Sequence, residues 1–154
     1  MKKILKIIAC ITLTSFLIFG VYNFFREIFY PTPPSAQLLD KQWRFVSYNG
    51  IPEYKGYGHL IFRSVGKYES RFCNVGNGGL SFDGYVIYTT PGSGTLMACI
   101  GSQSMEMDDR FLKFLEKKPV FSLENKMLTL ASSDGEVFVF TFDKNVSKNA
   151  EFFE

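Results

Sequence analysis

Cys73 and Cys99 are the cysteines that lie beyond the apolar N-terminal segment. Two thiols in one domain can be bridged in an oxidising space or sit as separate buried groups, and their spacing alone leaves both open. A metal centre needs further ligands, and the sole histidine, His59, lies far along the chain from either cysteine, so none is expected. His59 would serve as a general base only beside a nucleophile and an orienting acid, which no local spacing identifies. It reads as a surface or strand-end residue. Glu106, Asp108 and Asp109 could together hold a divalent cation, yet acids at the start of a helix are what its dipole favours anyway. The run Asn74-Val75-Gly76-Asn77-Gly78-Gly79 has the glycines of a phosphate-cradling loop but lacks a following Lys-Ser/Thr, and is expected to be a turn between strands.

These residues are carried by a chain that begins as an export substrate. Met1-Lys2-Lys3-Ile4-Leu5-Lys6 is basic, and residues 7–25 hold no charged side chain before Arg26. An uncharged apolar run of about eighteen residues or more can cross a hydrocarbon core as a helix, whereas a signal-peptide core needs only roughly 7 to 15. Length favours a retained anchor in the inner membrane over a cleaved signal, for which Pro34-Ser35-Ala36 would be the small-residue region. Ile7-Ile8-Ala9-Cys10 has the residue types of a lipoprotein site, but no apolar core precedes it, and Cys10 reads as a small thiol within the helix. The lysines keep the N-terminus cytoplasmic and send the rest to the periplasm or cell exterior.

About 120 residues follow, enough for one domain with a real core. Acids and bases are interspersed with a net charge of +2, which excludes the concentrated basic face of a nucleic-acid binder. The expected organisation is a membrane anchor or signal over 1–29, a stiff Pro-rich connector over 30–38, a domain over 39–143 and a flexible tail over 144–154. Strands are expected at 43–48, 58–63, 67–73, 79–82, 85–89, 119–123, 126–131 and 137–142, with turns at Asn49-Gly50 and Glu124-Asn125. In the last strand Phe138, Phe140 and Phe142 share one face. Met107, Phe111, Phe114 and Leu115 form a helical stripe, with Ser104 as its N-cap and Pro119 as its stop. The fold expected is α+β and mostly β: an antiparallel meander forming a curved or partly open barrel with one helix packed on it, plus an N-terminal transmembrane helix.

The order Leu39-X-X-X-Trp43-X-X-Val46-Ser47-X-Asn49-Gly50, then Cys73-Asn74, then Thr95-Leu96-Met97-Ala98-Cys99, then Phe111-Leu112 and Leu128-Thr129-Leu130, resembles the META domain, or HslJ-like, family over residues 39–143. Trp43, Asn49, Gly50, Cys73, Asn74, Thr95, Met97, Ala98 and Cys99 carry the resemblance. Phe72 stands where Gly commonly precedes Cys-Asn, and Leu96 where Arg is common. The resemblance implies a small, mainly β domain with one helix, often exported, linked in some members to heat shock or antibiotic tolerance, with no general enzymatic activity. It implies that Cys73 and Cys99 lie near each other, and a bridge would close a loop of about 25 residues worth roughly 3–4 kcal/mol. A likeness to a secretin pilot protein makes an unknown envelope protein or a lipid ligand the implied partner.

The resulting expectation is a non-catalytic, envelope-facing binding or stress-response module without cofactor. A carrier or pilot-type chaperone with an aromatic β interior is the alternative, and a hydrolase the remote one.

Overall fold

The computed structural model describes residues 33–52, 58–95 and 104–147, together with Ser15, Phe19 and Gly20. The chain divides into two compact units, Met1–Pro33 and Pro34–Glu154. In the first, Ser15, Phe19 and Gly20 are helical and Pro33 is not. Among the described residues no helix is long and apolar enough to cross a membrane; the rest of the expected span, 7–25, lies outside them.

The second unit is a ring of eight antiparallel strands in sequence order: β1 (Lys41–Tyr48), β2 (His59–Arg63), β3 (Lys67–Arg71), β4 (Val75–Asp83), β5 (Val86–Gly94), β6 (Val120–Glu124), β7 (Met127–Ala131) and β8 (Val137–Asn145). One helix, α1 (Ser104–Glu116), intervenes between β5 and β6. The meander is closed instead of partly open, because β8 pairs with β1 from Lys41↔Asn145 to Tyr48↔Phe138. The tightness of closure varies. β5 and β6 share a single register pair, Val86↔Val120, flanked by the Ile87 N–H on the Pro119 carbonyl and the Phe121 N–H on the Tyr85 carbonyl, both at 2.9 Å.

Period-two alternation turns Trp43 and Phe45, Leu60 and Phe62, Leu128 and Leu130, and Phe138 and Phe140 into the ring, where all are buried. An eight-stranded barrel has an interior that side chains just fill. Here aromatic rings fill it: Phe45 lies 5.2 Å from Phe72 and 5.7 Å from Phe140, mostly edge to face. The expected helical stripe is borne out, with Met107, Phe111, Phe114 and Leu115 all buried, and α1 seals one end of the ring by setting Phe111 5.0 Å and Phe114 4.7 Å from Phe138. The helix begins at Ser104 and stops as the Lys117 and Lys118 N–H groups turn back to Phe114 and Leu115, with Lys118 left-handed just before Pro119.

Three expectations change. Residues 75–79 form the first half of β4, and the bend lies at Phe72–Asn74 before them. Glycines hid that strand: a Cβ on Gly78 would sit 2.1 Å from the Thr90 carbonyl oxygen and one on Gly92 2.4 Å from that of Asn77, so β4 and β5 approach as only glycine permits, across a bulge at Gly76/Gly78. Pro34–Gln37, expected as extended connector, is a 3₁₀ turn, and the following Leu38 is fully buried, its carbonyl accepting the Trp43 indole N–H at 3.2 Å. This turn covers the ring end opposite α1, where Leu39 bridges to Phe62. Lys144 and Asn145, expected in the tail, belong to β8, and Ser147 accepts from Arg63.

Candidate functional site

At the end that the 3₁₀ turn covers, the ring keeps an opening. β1 begins there with Lys41, β8 brings Phe142, and the β6–β7 hairpin brings Leu123, Asn125 and Lys126; with Gln37 and Trp43 these residues line a cavity of about 330 Å³. Trp43 is only 1% exposed and meets Phe142 edge to face at 6.0 Å, while the Lys126 ammonium lies 6.0 Å from the Phe142 centroid. Lys41 donates to the Gln37 carbonyl. The site therefore has an aromatic and aliphatic floor and a rim carrying two ammonium groups and no carboxylate. Its hairpin turns through Asn125 and Lys126, one residue later than expected, and both have positive φ (49° and 65°). That is the two-residue turn that matches sheet twist, and its second position ordinarily takes glycine.

At the opposite end, sequence-marked residues meet a group that was weighed differently. Asp108 is buried, and its carboxylate accepts the backbone N–H groups of Phe72 (3.0 Å), Cys73 (3.1 Å) and Asn74 (2.7 Å). It works neither as a cation ligand nor merely as a helix-start acid: it clamps α1 to the β3–β4 bend. Thr95 completes the arrangement, its hydroxyl accepting from the Val75 N–H while its own N–H donates to the Val75 carbonyl. Cys73 is buried there too. Met97, Ala98 and Cys99 lie outside the described residues. Of the three acids, Glu106 pairs instead with Arg110 at 2.6 Å, four residues on.

Asn49 and Gly50 form a left-handed pair at the turn after β1, and Asn49 exchanges two hydrogen bonds with Val137, one through its side-chain oxygen, both at 2.8 Å. Its marker role is to pin that turn to β8. Nearby, the Tyr48 hydroxyl donates to Glu136 at 2.7 Å, and Lys117 bridges Asp134 and Glu136. Hydrogen bonding to Asp134 and then Glu136 pushes the Lys117 ammonium up to about 12, and Lys117 in turn holds both carboxyls below their ordinary values.

His59 opens β2, half-buried, its Nδ1 3.2 Å from the Gln42 amide nitrogen, which also donates to Asp143 at 2.9 Å. Burial holds its imidazole below the ordinary value, against the opposing pull of Asp143. The described contacts join it to an amide and a carboxylate, without a serine or threonine.

A META domain model matches residues 36–145. The chain belongs to the META domain family. The ring of this META domain is also similar to solved structures, which at their identities speak for the fold alone. An NMR structure of a protein from Burkholderia xenovorans matches with a TM-score of 0.57 at 16% identity over 75% of this chain and 92% of the other. A second NMR structure gives a TM-score of 0.60 at 19% identity over 71% and 96%. The crystal structure of a DUF4847 family protein from Bacteroides vulgatus gives 0.55 at 14% over 72% and 98%. No curated protein matches this META domain.

Sequence reasoning marked Trp43 but missed Lys41, Lys126 and Phe142 as its companions at the mouth. The Asn125-Lys126 turn held a signal, a lysine where the turn chemistry asks for glycine.

Proposed function

We propose that this META domain is tethered to the inner membrane by residues 7–25, faces the periplasm or cell exterior, and works there as a non-catalytic binding module in the envelope, in keeping with the stress association of the family. The observation that carries this reading is a barrel sealed at one end by α1 and covered at the other by the 3₁₀ turn, with a lined cavity left beside that turn. The uncharged length of residues 7–25 supports the tether. A bridge between Cys73 and Cys99 belongs to the same reading, since bridged cysteines suit an oxidising compartment. A carrier-type role is favoured by the cavity and confined to it, since rings occupy the interior.

The test is fractionation of cells making the full chain, followed by crosslinking in intact cells and mass spectrometry. The expected result is retention in carbonate-washed membranes, Cys73 and Cys99 thiols that alkylate only after reduction, and a specific crosslinked envelope component. A soluble protein whose mature N-terminus lies near Gln37 would overturn the tether. Alkylation of Cys73 and Cys99 without reduction would overturn the bridge.

A further inference from the structure

We infer that the barrel mouth is a binding site for an anionic amphiphile, its carboxylate or phosphate head set between Lys41 and Lys126 and its apolar body seated on Leu123, Phe142 and Trp43. The inference rests on the binding-module reading and gives that module a site and a ligand chemistry.

Size is the first argument. A cavity of about 330 Å³ stands at the lower end of the range that holds small molecules, and mouths of β-barrels are among the places where such sites occur. It admits a single short chain or ring with a head group, and excludes a folded protein segment.

Charge is the second. Lys41 opens β1 and Lys126 lies in the β6–β7 turn, far apart in sequence, and closure of the ring sets both on one rim. Neither has a carboxylate within 4.0 Å among the described residues, although Lys117 and Arg110 on the opposite end do. Two ammoniums above an apolar floor, with no acid in the lining, complement a ligand that is negative at one end and greasy at the other.

The backbone supplies the third. Lys126 holds φ at 65°, a conformation that disfavours any side chain with a Cβ and that glycine would adopt freely. Glycine at this position would serve the hairpin better. What lysine adds is an ammonium over the Phe142 ring at the edge of the cavity. Strain retained beside an opening is the pattern of a ligand site.

Source is separable from chemistry. A membrane lipid and a free metabolite can carry the same anionic head and apolar body, and the vesicle arm of the test below tells them apart.

Trp43 is the single tryptophan of the chain and lines this cavity, so its fluorescence reports on the site without a label. The full chain, reconstituted in phosphatidylcholine vesicles, is titrated with decanoate, decyl phosphate, decylamine and inorganic phosphate. Both decyl anions should give a saturable change, with decylamine and inorganic phosphate at least about tenfold weaker. Lys41→Gln and Lys126→Gln should each weaken the anions about tenfold, the equivalent of one charge-assisted hydrogen bond. Lys126→Gly should do the same while raising the melting temperature by about 3 °C, which separates binding from folding. A fluorescence change in phosphatidylglycerol vesicles without added ligand, absent in both lysine variants, would support the site and assign it to a membrane lipid; a response confined to the added anions would support it and assign a free ligand. No saturable change with either anion, equal binding of decylamine, or unaltered binding by the two lysine variants overturns the inference. Inorganic phosphate binding as tightly as decyl phosphate overturns its apolar half. A chain that fails here yet stays in membranes with its crosslinked component leaves the binding-module reading intact.

Discussion

At the residue scale, Asp108 is the side chain on which most backbone depends. Three consecutive N–H groups converge on its buried carboxylate, and removing it leaves three donors, two of them on buried residues, without their acceptor. Asp108→Ala should cost about 3 kcal/mol or more in urea denaturation, and Asp108→Asn, which keeps one oxygen, about half as much. An acid serving only a helix dipole is worth about 0.3–1 kcal/mol, so a loss below about 1 kcal/mol would return Asp108 to that simpler role. His59 gives a second expectation. Its imidazole is held below the ordinary value of 6.5, so the folded state favours the neutral ring. That contribution is complete above pH 6.5 and fades as pH falls through the lowered value. Because it is the sole histidine, His59→Gln should lose less stability than the parent as pH falls below 6.5, and parallel curves would refute the assignment. The depressed carboxyls of Asp134 and Glu136 act in the same direction, but at lower pH.

At the scale of elements, legibility followed turn chemistry and period. Asn49-Gly50 announced the first turn, and the spacing of Met107, Phe111, Phe114 and Leu115 announced the buried face of α1, since both signals are local. β4 was misread because Gly76, Gly78 and Gly79 carry no side chain to show an alternation, and glycine is also what a turn would use. Their reason for being glycine lies across the sheet. Gly78→Ala should cost about 3 kcal/mol, because the new Cβ meets the Thr90 carbonyl at 2.1 Å and the Tyr68 ring at 2.7 Å. Gly79→Ala meets only the Thr90 hydroxyl at 2.4 Å, which can rotate, and should cost about 1 kcal/mol or less. Equal losses in thermal or chemical melts would show that loss of strand flexibility, not collision, sets the penalty.

At the scale of the molecule, the site was illegible for a reason that belongs to the ring. Lys41 and Lys126 are neighbours only after β8 has returned to β1, and no pattern within either segment records that meeting. The plug at Leu38 escaped notice for a similar cause: a proline-rich stretch reads as connector until the indole of Trp43 is seen to hold its carbonyl. The seam between β5 and β6, with its one register pair, then acquires a dynamic meaning. A circle of hydrogen bonds breathes where it is thinnest, and here that place adjoins the helix and lies a quarter or more of the way round from the long β1–β8 ladder. In deuterated solvent the amide protons of Ile87 and Phe121 should exchange well before those of Arg44 and Thr141, register partners in the β1–β8 ladder, by opening of that clasp alone. Uniform exchange across all four would mean that the ring parts only when the whole domain unfolds.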